Sequence, residues 1–139
     1  MRKKILAMLA TLGIAVTLAA AVASPAQAAQ SDCPSSSGGL TVVGCFYTHS
    51  NYGTPLWIVT TSQGCKNFTS TWNDRASSAW NRTVAGSSGA YLIRIWVDGN
   101  CSGQSAHFVP GRADSGFSWY WNDAASSYAV YPCSSVSEC

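Results

Sequence analysis

Trp72-Asn73-Asp74-Arg75-Ala76-Ser77-Ser78 and Trp121-Asn122-Asp123-Ala124-Ala125-Ser126-Ser127 stand 49 residues apart and agree at six of seven positions. The same shift pairs Phe68 with Phe117, Asn51 with Asn100, Tyr47 with Trp96 and Tyr52 with Cys101, with no gap from Tyr47 to Ser78. A match in register over that length means one structural unit used twice.

Each half reads as β structure. Thr41–Tyr47 and Tyr91–Val97 are rich in β-branched and aromatic residues, and Leu56–Thr61 and Ser105–Val109 supply a second strand to each. Between first and second strands lie the turn formers Ser50-Asn51-Tyr52-Gly53 and Asp98-Gly99-Asn100, and Pro110-Gly111 marks a further turn. Short strands are expected near Phe68 and Phe117, and again at Ala79–Val84 and Tyr128–Tyr131, which makes four per half. No sustained helical period appears past residue 28. The expectation is an all-β sandwich of two four-stranded repeats, residues 41–84 and 90–133, packed face to face. Ala85-Gly86-Ser87-Ser88-Gly89 links the halves within one domain, 41–139. A flexible segment, 29–40, is expected before it, and Pro132–Cys139 reads as an irregular tail.

The 139 residues carry 8 Lys+Arg and 6 Asp+Glu, but the charge is unevenly placed. Residues 1–28 have the pattern of a signal peptide: Arg2, Lys3 and Lys4, an apolar run from Ile5 to Ala23, the breaker Ser24-Pro25, then Ala26-Gln27-Ala28 for cleavage. Removing them leaves Lys66, Arg75, Arg82, Arg94 and Arg112 against six acids, a net charge of −1. No basic stripe remains for nucleic acid, and no second apolar segment is long enough to span a membrane. The mature chain is therefore expected to be secreted, and a monomer. Cys33, Cys45, Cys65, Cys101, Cys133 and Cys139 all fall in that mature part, an even set that reads as disulfides in an exported protein. Their spacing alone does not choose the pairing.

The repeated corner concentrates oxygen donors: an Asn, an Asp, two hydroxyls and nearby carbonyls. Ca²⁺ takes six to eight such oxygens. One hexapeptide supplies too few, but two brought together by pseudo-twofold packing would make two sites, each borrowing from both halves. The plainer reading is a hydrogen-bonded corner between strands. Zinc is disfavoured, since neither a C-x-x-C pair nor H-E-x-x-H occurs; His49 and His107 stand apart. No G-x-S-x-G elbow marks a hydrolase, and the chain is read as a non-enzyme. Among the aromatics, Trp72 and Trp121 are equivalent and expected in the core, whereas Trp119 and Tyr120 match Ser70 and Thr71 and are candidates for a sugar or protein contact.

The duplicated N/D-N/D-x-x-S/T-S motif, each copy after an aromatic-x4-aromatic-x-Gly hairpin, resembles the βγ-crystallin domain. The hairpins here are Tyr47-x4-Tyr52-x-Thr54 and Trp96-x4-Cys101-x-Gly103, and the resemblance runs from Thr41 to Cys133. With its leader, Cys33-Pro34, and Cys45 directly before Phe46-Tyr47, the chain is similar to the secreted bacterial proteins grouped as peptidase inhibitor family I36. The resemblance implies a Greek-key sandwich and a disulfide between Cys33 and Cys45. It also implies two Ca²⁺ sites drawn crosswise from Asn73, Asp74, Ser77 and Ser78 and from Asn122, Asp123, Ser126 and Ser127. A secreted proteinase is the implied partner. A calcium-stabilised extracellular binding or structural module, or a killer-toxin-like antimicrobial, is the alternative. Three departures stand out: Thr54 replaces the hairpin Gly, Cys101 replaces the second aromatic, and Thr48 and Val97 replace the acid that often follows the first. No inhibitory residue is identified; Thr61–Lys66, Ala85–Ala90 and Val109–Gly116 are candidate loops.

Overall fold

The computed structural model describes residues 30–139 other than residue 63 and the side chains of 54–56; the expected leader, 1–28, lies outside the described residues. Nine strands follow in order: β1 (Ser36–Ser37), β2 (Leu40–His49), β3 (Gly53–Thr60), β4 (Lys66–Asn67), β5 (Ser78–Asn81), β6 (Tyr91–Asp98), β7 (Ser102–Phe108), β8 (Ala113–Asp114) and β9 (Ser127–Pro132). They form two antiparallel sheets. In one, β2 pairs with β3 and with β5, β5 continues to β8, and β1 lies on the start of β2. The other runs β4-β9-β6-β7.

The halves do not each build their own sheet, as simple face-to-face packing of two repeats would have it. The two-residue third strand of each half crosses over: β4 joins the second half's sheet at Lys66↔Tyr128, and β8 joins the first half's at Ala79↔Asp114. This exchange makes the sandwich a pair of interlocked Greek keys. Register otherwise follows the repeat, with Cys45↔Ile58 and Phe46↔Trp57 in one sheet matching Arg94↔His107 and Ile95↔Ala106 in the other.

Between the sheets lies a core that includes Val43, Phe46, Val59, Phe68, Ile93, Ile95, Phe108, Tyr128 and Val130. Gly44 and Ile93 are equivalent by the repeat shift, and they meet: a Cβ on Gly44 would lie 2.6 Å from Ile93 Cδ1 and 2.5 Å from the Trp80 carbonyl. Only glycine lets that side chain in. Asn81 bridges the sheets from β5. Its amide nitrogen donates to the carbonyls of Tyr91 and Phe108, both at 2.7 Å, and its oxygen accepts from the Thr83 amide and hydroxyl. A buried amide satisfied this fully fixes how β5 meets the other sheet.

Residues 29–40 were expected to be loose, yet the described part, from Gln30 on, covers the outer face of β2. Cys33 is bonded to Cys45, the Val42 amide donates to the Ser35 carbonyl, and the Arg82 guanidinium donates to the Pro34 carbonyl. Cys33, Val42, Cys45 and Tyr47 form a second apolar cluster there, with Tyr52 and Trp80 against it. This explains why β2 is buried without alternation from Val42 to Tyr47: both of its faces are covered. The other disulfides are Cys65–Cys101 and Cys133–Cys139. The first of these ties the approach to β4 onto the hairpin of the other half, beside the strand exchange. In the tail, Cys133–Ser135 makes a short helical turn and Glu138 pairs with Arg94.

Burial pushes the Tyr47 hydroxyl up to about 12, with the nearby Asp32 charge adding to it. An unfolded tyrosine ionises near pH 10. Above that pH the unfolded chain releases a proton that the folded chain keeps, so stability falls as pH rises from about 10 to 12. In a tyrosinate absorbance titration of the folded protein, Tyr47 should ionise late, near pH 12. Complete ionisation near pH 10 with the fold intact would contradict this placement of Tyr47.

A candidate metal centre at two exchanged corners

Each motif opens with a tight turn. The amides of Trp72 and Asn73 both donate to the Thr69 carbonyl, at 2.8 and 2.9 Å, and those of Trp121 and Asn122 to the Ser118 carbonyl, at 2.9 and 3.0 Å. The next residue reverses the chain in a left-handed conformation, with φ of 55° at Asp74 and 54° at Asp123. Aspartate tolerates that region better than most residues. Reversal aims each motif at the other: the Asp74 amide donates to the Ala125 carbonyl (3.1 Å) and the Asp123 amide to the Ala76 carbonyl (3.0 Å).

The serines then divide the work. Ser78 and Ser127, both fully buried, hold the hairpin of their own half. Ser78 Oγ donates to the His49 carbonyl at 2.7 Å and accepts from the Tyr52 amide at 3.2 Å; Ser127 Oγ does the same with Asp98 (2.5 Å) and Cys101 (3.0 Å). Those hairpins turn on two left-handed residues each, Asn51 and Tyr52, and Asn100 and Cys101. Ser77 and Ser126 instead face the opposite motif. Ser77 Oγ is 3.2 Å from Asp123 Oδ1 and 2.9 Å from the Thr48 carbonyl. Ser126 Oγ is 3.1 Å from Asp74 Oδ1.

The sequence-derived set is thus assembled crosswise, Ser77 with Asp123 and Ser126 with Asp74. Asn73 and Asn122 turn their amide nitrogens onto Oδ2 of the following aspartate, at 2.6 and 2.8 Å, and so orient the acid. A depression of about 500 Å³ lies over the first pair, and Thr48, Ser77, Asn122 and Asp123 are among its lining. Arg75 also borders it, but its guanidinium donates to the Thr71 carbonyl at 3.2 Å and lies 5.7 Å over the Trp72 ring. At Thr48, where the resemblance often has an acid, the backbone carbonyl stands in, and it accepts from Ser77 Oγ.

Three acceptor oxygens, of Ser77, Asp123 and Thr48, share one hydroxyl proton, because the Ser77 amide is already spent on the Tyr47 carbonyl. A hydroxyl has one proton to give and two lone pairs. Such an oxygen-rich, proton-poor cluster fits a hard cation. Among the described residues no group of three or more His, Cys, Asp and Glu side chains forms, so each pair brings one carboxylate and otherwise neutral oxygens.

Elsewhere, Trp119 is 89% exposed and Tyr120 lies edge-on to it at 5.8 Å. Of the candidate loops, 109–116 contains β8 and is held in the sheet, 85–89 is exposed, and 61–66 includes residue 63, which lies outside the described residues.

The family model of peptidase inhibitor family I36 matches residues 26–108, more than half of the chain. No curated protein matches it. Among solved structures, a betagamma-crystallin domain from Flavobacterium johnsoniae is 23% identical with a TM-score of 0.51, over 68% of this chain and 99% of that one. A structure described under the evolution of the eye lens beta-gamma-crystallin domain fold is 22% identical with a TM-score of 0.53, over 70% and 93%. At these identities the likeness is one of fold.

Because Asp74 sits at φ 55°, its backbone and its carboxylate make separable demands. In metal-free denaturant melts, Asp74→Val should be less stable than Asp74→Gly by about 1–2 kcal/mol. Equal stabilities would show that the corner carries no left-handed constraint.

Proposed function

Because the chain belongs to peptidase inhibitor family I36, we propose that it is a secreted proteinase inhibitor built on a βγ-crystallin fold whose paired corners bind Ca²⁺. The family match carries the inhibitory reading, and membership of an inhibitor family fits a chain without catalysis of its own. Three disulfides suit the oxidising space outside the cell. A rigid loop loses little entropy when a proteinase closes on it.

The crosswise Ser–Asp pairs support the calcium reading. Ser77, Asp123 and the Thr48 carbonyl would hold one ion, and Ser126 and Asp74 the other. Bound Ca²⁺ would replace the shared proton's role with charge and lock the two motifs together, so its contribution is to stability. With a single carboxylate in each pair the sites are of modest affinity.

Two outcomes are expected. The mature protein at micromolar concentration should inhibit at least one of a panel of secreted metallo- and serine proteinases; inhibition of none would remove the inhibitory reading. The melting temperature should rise with Ca²⁺ and return with chelator, and Ser77→Ala with Ser126→Ala should lose most of that rise. A melting temperature indifferent to Ca²⁺ would remove the calcium reading and leave the inhibitory one standing.

A further inference from the structure

Strand register makes the halves comparable residue by residue, and one position differs by a whole indole. Phe46 pairs with Trp57 in one sheet and Ile95 with Ala106 in the other, so Trp57 and Ala106 are equivalent. Trp57 lies edge-on to Phe68 at 5.7 Å and to Tyr128 at 6.2 Å, and beneath it Phe68 is only 6% exposed. In the second half Ala106 ends at a methyl group. Phe117, the counterpart of Phe68, is left half-buried.

Where that volume is missing there is an open cavity of about 390 Å³, with Ala106, Phe108, Phe117 and Trp121 among its lining. Phe108 and Phe117 stack at 5.7 Å, with an angle of 29° between rings; Phe108 is buried, and Phe117 is the ring left partly open. Polar groups also border it: His107, Arg112 and Asp114, the last two 3.7 Å apart. Both signs of charge are present there, which suits the N–H and C=O groups of a polypeptide rather than a simple ion. An apolar cavity of this size with few polar groups is the usual form of a ligand site.

We propose that this cavity binds a planar aromatic side chain presented by a foreign polypeptide. The chain's own Trp57 shows what the site takes: at the equivalent place, against the equivalent phenylalanine, an indole fits edge-on. The second half keeps that phenylalanine, as Phe117, and omits the internal occupant; Phe108 stands where the first half has Val59.

The test is an NMR titration of the ¹⁵N-labelled mature protein with N-acetyl-L-tryptophan amide, N-acetyl-L-alanine amide and methyl glucoside. Saturable shifts with the tryptophan probe alone, centred on Ala106 and Phe117, are expected. Ala106→Trp should abolish them by placing an internal indole where Trp57 has one. Should that variant fail to fold, Ala106→Leu fills part of the space and should weaken binding by about tenfold or more. The proposal is overturned if the tryptophan probe gives no saturable shift, if both variants bind it as the wild type does, or if methyl glucoside binds and the tryptophan probe does not. Shifts at the same residues on concentrating the protein alone, lost in Trp119→Ser, would assign the cavity to a second copy and also overturn it.

Discussion

Two main-chain hydrogen bonds, Asp74 to Ala125 and Asp123 to Ala76, join the corners of the halves to each other rather than to themselves. Each is worth about 1 kcal/mol net, so their importance is geometric. Once the corners face one another, the Phe68 amide meets the Ser126 carbonyl and the Phe117 amide meets the Ser77 carbonyl, which leads β4 and β8 out of their own sheets. Ser77 and Ser126 are carried to the opposite carboxylates by the same reversal. The exchanged strands and the oxygen clusters are therefore two consequences of one constraint.

Near twofold symmetry makes the departures from it informative. Gly44 yields space to Ile93 across the core. Asn81 ties the sheets together with two hydrogen bonds, to the Tyr91 and Phe108 carbonyls, where its counterpart Val130 packs in the core. Ala106 leaves open what Trp57 closes. The first half is also the more enclosed: the disulfide-bound N-terminal segment covers the outer face of β2.

The repeat was legible because identity of residues at a fixed shift needs no structural knowledge, and the all-β sandwich followed from it; the Greek-key class came with the family resemblance. The motif serines and aspartates were legible for the same reason. Strand exchange was not, since β4 and β8 have two residues each and carry no alternating pattern for a sequence to display. Of the contacts made by residues from Gln30 onward, the Cys33–Cys45 bond was implied by the resemblance, whereas the Arg82 contact to the Pro34 carbonyl carries no sequence signal. The carbonyl of Thr48 could be anticipated only from its place directly after the first hairpin aromatic, since any residue supplies such an oxygen. The hollow at Ala106 lay in the sequence all along, but it takes strand register to turn a Trp-to-Ala difference into a cavity.

If each oxygen site draws on both halves, calorimetry should count two Ca²⁺ ions for the wild type, one for Ser77→Ala, and still one when Asp123→Asn is added, because Ser77 and Asp123 would serve the same site. Ser77→Ala with Asp74→Asn should bind none, because Asp74 belongs with Ser126. The reverse pattern, with Ser77 and Asp74 behaving as one site, would contradict the exchange, as would a wild type that binds no Ca²⁺.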